Sequence, residues 1–236
     1  MKLGNKIIKK SPHWSFSGNV ADNFVNHITQ SVPLYSQGHE LICNLSDFFC
    51  FNNSVSYEIG SSTGELIGKL ATHNNSKKNV KWVGIDNETK MIQKAKKDFK
   101  NKKNISFFNK DIIDYKFKKT NFIVSYYTIQ FIQESVRQDL INKIYNALNW
   151  GGAFVLFEKV RASDARFQDI SNLMYNDFKE NNGFEAEEIF NKSKSLKGVL
   201  RPFSTQGNID MLSRAGFKDI QTIMKYICFE GFLCIK

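Results

Sequence analysis

Tyr57-Glu58-Ile59-Gly60-Ser61-Ser62-Thr63-Gly64 is the stretch that decides the fold. The residues leading into it, 54–59 (SVSYEI), alternate in polarity and read as a short strand. Those leading out, 64–71 (GELIGKLA), carry apolar side chains at helical spacing. A strand that turns through small residues into a helix lets a ligand approach the backbone and offers it the helix's first N–H groups. Such a turn also serves plain strand–helix packing, so by itself it does not fix a ligand.

The same alternation continues outward. Residues 80–85 (VKWVGI) form a second strand and 90–99 a helix. Residues 105–109 and 121–126 are strands, 135–148 a helix, and 153–158 (AFVLFE) a fifth strand. This is an α/β chain with a mostly parallel sheet and helices on both faces. Upstream, residues 1–50 form a helical N-terminal extension, with helices at 19–28 and 35–49 parted by Pro33. Downstream, 160–205 is a helical insertion after the fifth strand, in which 165–192 makes one or two helices. A helix at 208–215 then ends at Gly216, and 218–225 with 226–235 closes the chain as an antiparallel hairpin. No Pro-, Gly- or Ser-rich linker interrupts the sequence, so residues 1–236 read as a single domain.

Composition narrows the setting. The net charge is +10, and much of it lies at 94–103 (KAKKDFKNKK) and 115–119 (YKFKK). Such a surface attracts nucleic acid or acidic metabolites, but no aromatic-interleaved nucleic-acid-binding motif accompanies the lysines, and a solvated lysine face is the plainer reading. The 21 phenylalanines are spread through periodic segments as core filler. Cys43, Cys50, Cys228 and Cys234 form no metal-type pair, so no metal is expected. Residues 1–10 are basic without an apolar stretch behind them, and no apolar run reaches the roughly 18 residues of a membrane span. The expectation is a cytoplasmic protein with reduced thiols and no membrane contact.

Two more sites follow the glycine turn. Asp86 and Asn87 close the second strand, 26 and 27 residues after Gly60. A carboxylate there accepts hydrogen bonds from both ribose hydroxyls, and it also suits the N-terminus of the next helix. Asp111 and Ile112 follow the third strand. An acid followed by an apolar residue bonds an adenine amino group and covers the ring, whereas Asp111 alone would be a surface turn residue. Three such sites in succession at the carboxyl edge of an open α/β sheet point to a nucleoside cofactor. With a small-residue turn in place of a pyrophosphate cradle, that cofactor is S-adenosylmethionine (SAM), its methionine part packed on Gly60, Ser61, Ser62 and Gly64.

At a finer grain the chain resembles the carboxy-SAM synthase family, within the Rossmann-like class I SAM-dependent methyltransferases. Gln30-Ser31-Val32-Pro33-Leu34-Tyr35, Glu58-Ile59-Gly60-Ser61-Ser62, Ile85-Asp86-Asn87 and Thr128-Ile129-Gln130-Phe131 carry the resemblance. So do Gly151-Gly152 through Glu158-Lys159, Asn182-Gly183-Phe184 and Ala215-Gly216-Phe217. The likeness runs from about Trp14 to the end. It implies a homodimer whose helical insertion helps form the site, and cofactor contacts at Tyr35, Gly60, Ser61, Ser62, Asp86, Asn87, Asp111 and Ile112. The family converts SAM and prephenate into carboxy-SAM and phenylpyruvate, and the product serves wobble-uridine modification in tRNA.

Two positions depart from the family's pattern. Tyr126 stands where the family has an Asn beside the cofactor, and Ser193 stands where it has the Arg that holds the added carboxylate. Ser cannot replace a bidentate guanidinium, so Lys194, Lys197 or Arg201 would have to reach in. The lost Arg places methyl transfer to a small-molecule acceptor first among the readings and prephenate-dependent carboxy-SAM synthesis second. A non-catalytic RNA-binding protein, supported by the charge alone, comes third. For a base, should the acceptor need one, the candidates are Tyr126, Tyr127, Glu158 and His39, and the sequence does not choose among them.

Overall fold

The computed structural model describes residues 2–4 and 20–236. Trp14 and Asn19, from which the likeness and the first expected helix were counted, lie outside them. Seven strands make one sheet in the order β3-β2-β1-β4-β5-β7-β6. The parallel part consists of β1 (Val55–Ile59), β2 (Lys81–Asp86), β3 (Ile105–Asn109), β4 (Thr120–Tyr126) and β5 (Leu148–Lys159). β6 (Asp219–Tyr226) and β7 (Phe229–Ile235) pair antiparallel, as the closing hairpin predicts, and β7 also runs antiparallel to β5. Neighbouring strands of β1–β5 are joined through α3 (Glu65–His73), α4 (Thr89–Asp98) and α5 (Glu134–Ala147).

The sheet is buried on both faces. α2 (Tyr35–Phe49), α3 and α4 cover one side, where Ile42, Leu70 and Ile92 pack on Trp82, Phe122 and Val155. α5 and α8 (Thr205–Ala215) cover the other, where Ile141 and Leu212 pack on Ile123, Leu156 and Phe232. The Rossmann-like class I methyltransferase fold expected from the sequence is the fold observed. Strand order reverses at β1, which lies between β2 and β4, and the crevice at such a switch point is where open α/β sheets take ligands.

Several boundaries move for local reasons. Gly64 is not helical: it is the N-cap of α3 at φ +86°, and a Cβ there would come within 2.7 Å of the Phe107 ring. β5 begins five residues earlier than expected, at Leu148, because Leu148 pairs with Thr120 across a register shift. The glycines at 151 and 152 hide this extension from a pattern of apolar residues. α8 starts at Thr205 because the Ser204 hydroxyl accepts the N–H of Gly207 at 3.0 Å. The insertion forms two helices, α6 (Ala165–Asn181) and α7 (Ala186–Ser195), separated at Gly183, φ +88°. The last strand starts at Phe229, after a turn in which Ile227 has φ +52°.

Candidate active site

A cavity of about 640 Å³ opens at the carboxyl ends of β1, β2 and β4. Gly60, Ser61, Ser62, Asp86, Asn87, Asp111, Ile112, Tyr35 and Tyr126 all line it. Gly64 does not; its role is the close packing of α3 on Phe99 and Phe107.

Backbone hydrogen bonds lock the three strand ends together. The N–H groups of Gly60 and Ser61 both donate to the Ile85 carbonyl, at 2.7 and 3.1 Å. The Ser62 N–H donates to Asp86 Oδ2 and the Glu88 N–H to Asp86 Oδ1, both at 2.8 Å. Asn109 and Lys110 donate to the Asp86 carbonyl. Asp86 therefore caps locally and still has two acceptor sites for a diol, since a carboxylate offers about four. Burial lifts its pKa above the usual carboxylate range, while the backbone N–H groups pull the other way. Asp111 uses Oδ1 to accept the Ile113 N–H at 2.9 Å, and Ile112 is buried beside it.

The turn is held from the far side by the Thr-x-Gln-Phe stretch. Gly60 has φ +70°, and a Cβ on it would lie 2.1 Å from the Thr128 hydroxyl, so no other residue fits. Three buried polar atoms of lining residues have no partner among the described residues: Ser61 Oγ, Glu65 Oε2 and the Tyr127 hydroxyl. A polar, nucleoside-sized ligand would satisfy them, so the site fits SAM on its own chemistry.

The α1 helix (Val20–Ser31), the last turn of α7 and the segment after it complete the wall, through His27 and Ile28 on one side and Lys192, Leu196 and Leu200 on the other. Tyr126 turns inward: its hydroxyl donates to the Tyr35 carbonyl at 2.7 Å, and its ring packs on Tyr35, His39 and Tyr127. Tyr127 adopts φ +59°, a strained conformation for a bulky residue, and burial raises its pKa. Of the four candidate bases only Tyr126 and Tyr127 reach the cavity. His39 is buried against Tyr35 and Tyr126, and burial pulls it down to about 3, leaving it neutral. Glu158 is buried in β5, near Arg137, and does not line the cavity.

A methyltransferase-domain family profile matches residues 57–152. The chain is 40% identical to a carboxy-S-adenosyl-L-methionine synthase of Staphylococcus epidermidis, over 94% of this chain and 97% of the relative. It is 35% identical to another, of Campylobacter jejuni, over 99% of this chain and the whole relative. The chain belongs to the carboxy-SAM synthase family. It is therefore a SAM-dependent transferase. Among solved structures, human N-acetylserotonin methyltransferase in complex with SAM superposes with a TM-score of 0.62 at 15% identity, covering 93% of this chain and 56% of that one. That likeness carries the fold.

Where a carboxy-SAM synthase is expected to hold its carboxylate with Arg, this member has Ser193, which is exposed and does not line the cavity. None of the three substitute cations named from the sequence, Lys194, Lys197 and Arg201, lines it. Lys194 is exposed, with its ammonium 4.7 Å from the Phe190 ring centroid. Arg201 pairs with Glu134 at 3.0 Å and donates to the Gly198 carbonyl. The cations that do line the cavity are Lys110, Lys159 and Lys192. Sequence reading passed over Lys192, one residue before Ser193, and Lys159, at the carboxyl end of β5. The position of Lys159 at a strand's carboxyl end was the signal for it.

Proposed function

We propose that this chain carboxylates the methyl carbon of SAM, taking the carboxyl group from an anionic donor, which by family resemblance is prephenate. The observation that carries this reading is Lys192, a cation on the cofactor cavity beside the position of the missing Arg. Replacing a methyl C–H of SAM by C–COO⁻ sends that proton out with the donor's hydroxyl as water, as the donor loses its carboxyl group and aromatises to phenylpyruvate, and it leaves a carboxylate attached to the carbon, which methyl transfer does not. A cation on the wall favours the first outcome. In this reading Asp86 accepts the ribose hydroxyls, Asp111 the adenine amino group, Ile112 covers the ring, and the turn at Gly60, Ser61 and Ser62 takes the methionine part. Tyr35 and Tyr126 shape the cavity floor, and Asn87 lies beside the ribose. The chain acts as one domain, a homodimer in the cytoplasm, and its product, carboxy-SAM, supplies wobble-uridine modification in tRNA.

Methyl transfer to a small-molecule acceptor is the second reading, favoured by the exposed Ser193. Mass spectrometry after incubation with SAM and prephenate separates the two. A species heavier than SAM by one carboxylate, formed with phenylpyruvate and lost in Lys192→Met while SAM is retained, is the expected result. SAM alone, or S-adenosylhomocysteine with no phenylpyruvate, overturns the synthase reading.

A further inference from the structure

A second cavity, of about 560 Å³, adjoins the first along Lys159, Tyr175, Lys192 and Leu196. Its walls include Lys159, Arg161, Lys179, Lys192, Lys194 and Lys197. They include one carboxylate, Glu188, which is already engaged: it accepts the backbone N–H of Glu185 in the capping box of α7.

Lys179 is the decisive residue. It is 7% exposed, and its ammonium stands 4.3 Å from the centroid of the Tyr175 ring. The Lys159 ammonium stands 4.3 Å from the same centroid. Among the described residues neither lysine makes an ion pair. An aromatic ring returns much less to a cation than burying an ammonium without a counter-charge costs. The sheet and α6 thus hold two like charges on one ring, at the junction of the two cavities. Lys159 borders both, and Lys179 borders only the second.

We infer that Lys159, Lys179 and Tyr175 form an anion site, which receives the carboxylate of the second substrate remote from the reacting carbon. A carboxylate there is shared by both ammonium groups and offsets one of their two charges, and the site's separation from the cofactor turn selects donors with two separated anionic groups. Burial and then the Lys159 charge pull Lys179 down to about 8, and burial lowers Lys159 too, the direction expected of cations lacking an anion. The inference rests on the proposed function only in requiring an anionic second substrate beside SAM.

The test is calorimetric titration of the full chain, loaded with SAM, with malonate as the probe at neutral pH. Saturable binding is expected in the wild type, weakened at least about tenfold in Lys179→Met and recovered in Lys179→Arg. Lys94→Met, whose lysine pairs with Asp98 on α4, is expected to bind as the wild type does. Lys159→Met is read in parallel and should show the same loss, so the site is tested even if one variant does not fold. Equal malonate affinity in the wild type and the folded variants overturns the inference, as does a wild type that binds SAM but not malonate. Carboxy-SAM formation is scored separately: malonate binding that depends on Lys179, without carboxy-SAM from SAM and prephenate, rejects the reaction and leaves the site standing.

Discussion

Asp86 caps the turn with one carboxylate that, in the proposed cofactor pose, also accepts the ribose, and its substitution tests both roles. Asp86→Asn keeps the shape and loses an acceptor, so the Ser62 or Glu88 N–H is left with a weaker partner and one ribose hydroxyl with none. A hydrogen bond to a charged group contributes about 1.5–3 kcal/mol, so SAM binding should weaken by roughly 10- to 100-fold in equilibrium dialysis. Glu158 makes a different residue-scale prediction. It opposes Glu230 across β5 and β7, and its Oε1 has no hydrogen-bond partner among the described residues. Burial pushes its pKa from the ordinary 4.5 up to about 8, against the pull of Arg137. The folded state therefore holds a proton that the unfolded chain releases across that window. This contribution to stability is complete below about pH 4.5 and is lost as pH rises through 8. Melting temperature should fall between pH 6 and pH 9, a drop of several degrees at the usual scale of such effects, and Glu158→Gln should flatten it. An unchanged slope in the variant would show that some other group sets the pH dependence.

Among the elements, helix starts and the glycine turn carry the sharpest expectations. Ser204 caps α8 by accepting the Gly207 N–H, so Ser204→Ala should lower stability by about 1 kcal/mol in urea titration, with SAM affinity unchanged. The turn from β1 into α3 was legible because Gly60, Asp86 and Asp111 each stand at a strand's carboxyl end, and strand ends follow from local pattern. The arrangement of the last two strands was only half legible. The hairpin shows in the sequence, but the order does not show until burial is compared. β7 (FEGFLCI) is almost continuously buried and lies inside the sheet, while β6 (DIQTIMKY) is largely exposed at its edge. Lys159, Tyr175 and Lys179 were not legible as a group, because only the packing of α6 beside the end of β5 brings them together. The expected cations, Lys194 and Arg201, were chosen by nearness to Ser193 along the chain. Lys192 and Lys194 both lie in the last turn of α7, two residues and so roughly 200° apart around the helix, so Lys192 lines the cavity and Lys194 does not, while Arg201, beyond the helix, pairs with Glu134.

At the scale of the molecule, α6 leaves Phe167, Ile170, Leu173 and Met174 exposed at helical spacing, with Phe190 exposed on α7. A row of large apolar groups on one helix is what an interface between subunits covers. If the homodimer forms there, Leu173→Asp should convert it to monomer in light scattering without loss of secondary structure; a dimer that persists places the interface elsewhere. The placement of β7 has a further consequence, for the order in which the protein is made. β5 is the longest strand, and β7 hydrogen-bonds it from Ala153 to Lys159. On the ribosome β5 is complete some seventy residues before its partner exists, and throughout that interval an apolar strand presents an open edge. The nascent chain thus passes through a stage at which it is most prone to pair with a neighbour on the same messenger, and a chain released before residue 229 would carry that hazard permanently.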